Sequence, residues 1–600
     1  MTTPATIGEA LLAAASSPRG VRVIEHDGRT TRVAYDQLLH RALCTGGALQ
    51  TRGLAAGDRV ALVVSEVEAF VHAFFGIVAA GLVPVPLCPP GQAGDLATFT
   101  QQSRHILTAS RAAAIVTTAD IAPLIPLGSE PTSPQGAVTS GESGERRASR
   151  SSEPTALRSE TDRAEWASEA NRHVHVLSGP GHALPILLLE ELTGGASLPE
   201  PLPVSPDTAA LLQYTSGSTA MPKGVVLSHA NIAANIEAIL GPSGLDAREG
   251  DVGVSWLPLY HDMGLIGMLL SSLFAREDIV LLSPVLFLKR PSAWLDAIAT
   301  YRGTVSFAPN FAYELCRRRV KPSQIDALDL SSWRVAGCGA EPIQPAALLQ
   351  FAEHFAPTGF KASSFLPCYG LAEHSLAVSF GQGGLHVDVV DANHLVRESR
   401  AVPAVDGSSS VRIVCCGRQL PGHAVRIVDE SMVDLPDRHI GAIAVRGPSM
   451  MQEYFDDPDA TAEAVRDGWL MTGDLGYLVD GSLYVCGRTK DLIIRQGRKY
   501  HSADLESSLR DLAGGALAGV VVFGIHQLEG GDEVVAVLET RAAGRAADIE
   551  SSVRRRIRET AGLELDRVVL APPGTIPRTT SGKVRRSETR ARLEAGTLTR

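Results

Sequence analysis

Paired cysteines, a basic surplus and long apolar runs are all missing from this 600-residue chain. Its eight cysteines are Cys44, Cys88, Cys316, Cys338, Cys368, Cys415, Cys416 and Cys486. None forms C-x-x-C and none sits at zinc spacing from a histidine, which sets aside a zinc site and a disulfide scaffold. Scattered in apolar context, they read as reduced, buried thiols, which suits a cytosolic setting. Lysine and arginine number 55 against 66 acidic residues, for a net charge of −11 and a pI of about 5.9. That balance lacks the basic footprint of a general nucleic-acid binder. The longest apolar stretch, Ala69–Cys88, is broken by His72, Pro84 and Pro86. Its helical part falls short of the roughly 20 residues that a membrane span needs. A helix followed by a strand accounts for it. The first residues, Met1 to Pro4, show no basic or apolar leader region, so no signal peptide is expected. No repeat of 20 to 50 residues is evident.

The chain is too long for one hydrophobic core, so two or more domains are expected. Apolar residues make up 44% and charged residues 20%, the balance of a soluble globular protein. Short β-rich runs alternate with helical patterns. Residues 59–64 and 83–87 read as strands flanking a helix over 70–80. Further strands are expected at 210–214, 252–256, 279–282, 305–308 and 333–336. Such alternation predicts an α/β fold with parallel sheets covered by helices. From about 128 to 172 the chain is rich in Ser, Glu, Arg, Thr, Pro and Gly, with almost no large apolar residues. It reads as a disordered surface insert, because it cannot repay the entropy of ordering. After Gly487 the pattern changes to a small α+β unit, with strands at 520–523 and 533–538 and a charged helix over 547–560.

The strongest motif runs from Tyr214 to His229. Thr215, Ser216, Gly217, Ser218 and Thr219, followed by Lys223, form a Gly/Ser/Thr loop. Placed between a strand and a helix, such a loop wraps backbone N–H groups around phosphate oxygens. A Walker loop is excluded, since Pro222 and Gly224 flank Lys223 where that motif needs Gly and Ser or Thr.

Here the chain resembles the adenylate-forming superfamily of acyl-CoA synthetases, luciferases and peptide-synthetase adenylation domains. Further matching stretches follow in the superfamily's order: 256–267, 337–342, 369–373, 441–449, 469–474, 487–491 and 577–586. The resemblance implies a large N-terminal domain over 1–487, a hinge at 488–492 centred on Lys490, and a mobile C-terminal lid over 493–600. It implies ATP and Mg²⁺ as cofactors. It assigns Lys583 to the substrate carboxylate and α-phosphate, where a cation offsets the repulsion of two anions. Glu373 resembles the Mg²⁺ ligand, with Thr219 assisting. Asp474 and Arg488 resemble the ribose site, and a carboxylate accepts two hydroxyl donors well. Gly339, Ala340, Glu341, Tyr369 and Gly370 resemble the adenine slot, and His261 lies where the superfamily places a residue near the acyl carboxylate. A solvated lysine, a helix-capping glutamate and a core tyrosine are the plain structural alternatives.

Within the superfamily, 255–264, 283–295, 308–316 and 328–342 resemble fatty acyl-AMP ligases. Extra sequence at about 379–403 matches that branch's insertion. The branch implies a long-chain fatty acid, acyl-AMP, and transfer to the phosphopantetheine of an acyl carrier protein acting in trans. An acyl-CoA ligase, a non-catalytic scaffold of the same fold and an RNA-binding tail are the alternatives. The chain departs from the branch at 499–503, and His374 stands after Glu373 where alanine is commoner.

Overall fold

The computed structural model describes residues 3–90, 96–125, 184–192, 196–215, 221–495, 498–510, 512, 517–526, 532–541, 546–578 and 584–598. The expected insert at 128–172 lies outside these residues, as do 216–219 and Lys583.

A nine-stranded sheet forms the centre. Its strands run in the order Arg418–Gln419, Ala377–Phe380, Phe365–Gly370, Val335–Cys338, Val305–Ala308, Val252–Ser255, Asp278–Leu282, Gly20–Ile24 and Thr30–Ala34. The middle pairings are parallel and the outer ones antiparallel. These strands are short, mostly apolar runs buried on both faces, as parallel strands under helices must be. A second, four-stranded parallel sheet contains Val83–Pro86, Arg59–Val63, Ala114–Thr117 and Ile186–Leu188. The stretch 69–88 resolves into the helix Val67–Ala79 and the first of these strands. Among the described residues no helix is long and apolar enough to cross a membrane. Trp256, Phe287, Trp294, Tyr313, Trp333 and Phe351 pack edge-on and stacked around the central sheet.

Two expectations shift. Residues 333–336 are only partly strand: the strand is Val335–Cys338, because the Trp333 indole turns inward and its Nε1 donates to the Val335 carbonyl at 2.8 Å. The loop after Tyr214 does not join a strand to a helix. Gly224–Ser228 is itself a strand, pairing antiparallel with Ala209–Tyr214, and the Thr215 N–H donates to the Lys223 carbonyl at 3.0 Å. The run Val225-Val226-Leu227 is buried and led by two β-branched valines, so it joins the sheet before the helix His229–Leu240 begins.

Beyond the central sheets lies an antiparallel sheet of Ala424–Val428, Gly441–Arg446, Trp469–Val479 and Val465–Arg466, with Ser482–Arg488 on Trp469–Val479. The region of the extra sequence holds the strand Val387–Asp391 and the helix Ala392–Glu398, and the strand is paired by Ser410–Val414. C-terminal to residue 491, a hairpin of Leu492–Arg495 and Arg498–His501 precedes a three-stranded sheet of Leu517–Ile525, Glu533–Thr540 and Arg567–Ala571. Ser502–Arg510, Ala546–Ala561 and Arg586–Glu594 are the helices of this part. Its apolar cores are separate from the main one.

Candidate active site

The parallel strands of the central sheet deliver the motif residues at their carboxyl ends, where open α/β sheets bind ligands. Val335–Cys338 runs into Gly339, Ala340 and Glu341, and Phe365–Gly370 ends on Tyr369 and Gly370. Val252–Ser255 leads to His261, which caps the short helix Asp262–Gly264. A π-helical turn, Leu265–Leu270, follows, a form that often marks a functional site. Ala340 holds a left-handed φ of 69°, a strained backbone for a residue with a Cβ. Gly370 is obligatory for another reason: a Cβ there would lie 1.9 Å from the Leu376 carbonyl oxygen.

Two chains of polar contacts knit distant motifs together. In the first, the Tyr369 hydroxyl donates to Asp474 Oδ2 at 2.7 Å, and Arg488 Nε lies 3.2 Å from Asp474 Oδ1. Asp474 sits within the long strand Trp469–Val479, directly opposite Arg488 on the neighbouring strand. That register fixes the pair as cross-strand neighbours. Burial, reinforced by Asp474, pushes the Tyr369 phenol far above its ordinary range, so it stays a donor.

In the second chain, the Tyr454 hydroxyl donates to Glu373 Oε1 at 2.8 Å, and the Lys223 ammonium lies over the Tyr454 ring at 4.9 Å from its centre. The Met451 N–H also holds the Glu373 carbonyl at 2.8 Å. Lys490, in the turn Thr489–Asp491, feels both chains. Partial desolvation and then Arg488 lower its pKa, against the pull of Asp491, Asp474 and Glu373. Gln213 Nε2 donates to the Tyr260 carbonyl at 2.9 Å and ties the strand Ala209–Tyr214 to the His261 segment. Glu341 Oε1 accepts the Phe311 N–H at 2.9 Å, at the start of the helix Asn310–Arg319.

A family model described as "AMP-binding enzyme" matches residues 12–455. The long-chain-fatty-acid–AMP ligase FadD26 of Mycobacterium bovis is 33% identical over 93% of this chain and 91% of its own length. A solved structure from work on the fatty acyl-adenylate ligases of E. coli and L. pneumophila superposes with a TM-score of 0.83 at 34% identity, covering 99% of each chain. The chain belongs to the adenylate-forming superfamily, on its fatty acyl-AMP ligase branch. Two further relatives of this ligase bear on the acceptor. One is a protein of Caulobacter vibrioides named as an acyl-CoA synthetase, 34% identical over 99% of this chain and 96% of its own. The other is the medium-chain-fatty-acid–[acyl-carrier-protein] ligase TtuA of Teredinibacter turnerae, 36% identical over 66% of this chain and 64% of its own.

Sequence reasoning about this ligase missed Tyr454, because its tie to Glu373 joins positions 81 residues apart. It noted His374 as a departure but not its buried neighbours Ser375, His423 and Ser449.

Proposed function

We propose that this ligase joins a fatty acid, long-chain in our reading, to ATP. A carboxylate oxygen attacks the α-phosphorus, the bond to the β-phosphate oxygen breaks, and acyl-AMP and pyrophosphate form. The observation that carries this is the pair of chains Tyr369–Asp474–Arg488 and Lys223–Tyr454–Glu373, which bring five of the motif residues and Tyr454 into two contact groups. Asp474 suits ribose hydroxyls, Tyr369 with Gly339, Ala340 and Gly370 suits adenine, and Lys223 with Thr215–Thr219 suits phosphates. Glu373 would hold Mg²⁺, with Thr219 assisting. A single carboxylate fits that ion, which keeps several waters and completes its shell with substrate phosphates. Among the described residues no cluster of three or more His, Cys, Asp or Glu offers an all-protein metal cage instead. Bound there, Mg²⁺ would supply charge neutralisation at the phosphates. Lys583 would stabilise the transition state, and His261 would orient the acid's carboxylate.

The acyl group would then pass to the phosphopantetheine thiol of a carrier protein acting in trans. Support comes from the insertion helix Ala392–Glu398, which reaches the lid: Val396 packs against the lid core, and the neighbouring Ser409 hydroxyl donates to the Thr560 carbonyl at 2.7 Å. Such contacts restrain the swing about Lys490 that would admit CoA. Eight cysteines, none bridged, favour a cytoplasmic setting.

Mass spectrometry of ATP, Mg²⁺ and a ladder of fatty acids, with and without CoA, tests the reading. Acyl-AMP should accumulate with CoA present and fall about 100-fold in Lys583→Ala. Conversion to acyl-CoA would move the protein to the CoA-ligase branch.

A further inference from the structure

Glu373 is followed by backbone and side chains that carry cost without serving the core. Ser375 adopts φ 59° and ψ −60°, and the Leu376 N–H donates across it to the His374 carbonyl at 2.7 Å. This is the γ-turn of the rare, strained hand. His374 is fully buried: its Nδ1 faces the Ala377 carbonyl at 3.3 Å and so carries the proton, while its Nε2 has no hydrogen-bond partner. A buried acceptor left unpaired destabilises the fold, a cost an alanine would avoid. Strain and orphaned polar atoms persist only where the surroundings over-determine them.

The surroundings do so here. The Ser375 hydroxyl donates to the Ser449 carbonyl at 2.7 Å, and the Ser449 hydroxyl donates to His423 Nε2 at 2.6 Å. His423 Nδ1 donates in turn to the Pro421 carbonyl at 2.8 Å, and its ring lies 4.9 Å from that of His374. Asn235 grips Ala377 from the other side through both its N–H and its carbonyl, at 3.0 and 2.8 Å. Ser375 and Ser449, like His374 and Asn235, are fully buried.

We propose that His374 and Ser375, braced by Ser449 and His423, are positioning residues that fix the Glu373 carboxylate toward the metal–nucleotide. The inference rests on the proposed role of Glu373, and the buried brace acts through it rather than on substrate. Outer partners of a metal-holding group typically set 10- to 100-fold of affinity.

The test titrates the full-length protein with Mn²⁺ and α,β-methylene ATP, reading bound Mn²⁺ by electron paramagnetic resonance. His374→Ala and Ser375→Gly should each weaken ternary binding about 10-fold. Ser375→Gly removes the strain as well as the hydroxyl, so its Tm should not fall. His374→Asn places an amide N–H near the lost Nδ1–H and should restore most of the affinity. The KM for the fatty acid should stay unchanged in all three. Unaltered Mn²⁺ binding in His374→Ala and Ser375→Gly, with Glu373→Gln weakened, would overturn the brace alone. Unaltered binding in Glu373→Gln would instead overturn the role of Glu373. Weakening that His374→Asn leaves in place, accompanied by a lower Tm, would mark His374 as packing only and also overturn the proposal.

Discussion

Tyr369 illustrates how one side chain divides two duties. Its ring would close the proposed adenine slot, and its hydroxyl holds Asp474 at 2.7 Å. Tyr369→Phe keeps the first and removes the second. A hydrogen bond to a carboxylate contributes about 1.5–3 kcal/mol, so the KM for ATP should rise about 10-fold. Pyrophosphate exchange kinetics would show this, and an unchanged KM would mean Arg488 alone holds the carboxylate. Asp474, Tyr369, Glu373 and Lys223 were nameable as candidates through the family resemblance that their motifs carry. Tyr454 was not, since nothing local to the segment 451–455 says that its hydroxyl reaches Glu373.

Elements add pH and acceptor behaviour. On the helix Ser502–Arg510, burial and then Glu506 push the Asp504 carboxyl up to about 7. A pKa raised on folding contributes stability that is fully present below the unfolded value near 4 and is lost as pH rises through 7. The lid should therefore be less stable at pH 8 than at pH 5. Asp504→Asn should flatten that slope and stabilise the protein at pH 8, on the order of 2 kcal/mol. Thermal unfolding across that range decides it; a slope that survives in the variant would place the titration elsewhere. The insertion helix supplies the other element-scale outcome. Val396→Glu puts a charge against the lid core, and with Ser409→Ala it removes both contacts named above. CoA-dependent AMP release should then rise several-fold over the parent, since burying an unpaired charge is costly enough to release the lid.

At the scale of the molecule, the separate apolar cores on the two sides of Lys490 make the large part and the lid distinct packing units. A chain ending at Arg488 should still bind the ATP analogue, since the proposed nucleotide-site residues Tyr369, Asp474 and Glu373 lie before that point, yet form no acyl-AMP if Lys583 acts as proposed. Isothermal titration and mass spectrometry on the same sample check the two halves of that outcome.

The amino-acid sequence by itself determined the α/β class, most strand positions and which residues are candidates for the chemistry. Those follow from local burial patterns, such as Val305–Ala308, and from residue types in a fixed order. Only the tertiary structure decided that Val225-Val226-Leu227 lies in a strand paired with Ala209–Tyr214, that Asp474 lies mid-strand opposite Arg488, and that His374 meets His423. The first two depend on the register in which neighbouring strands pair, and the third on packing between segments well separated in the chain. Hydrogen-bond partners across such distances are chosen by the whole fold's burial, to which no local pattern has access.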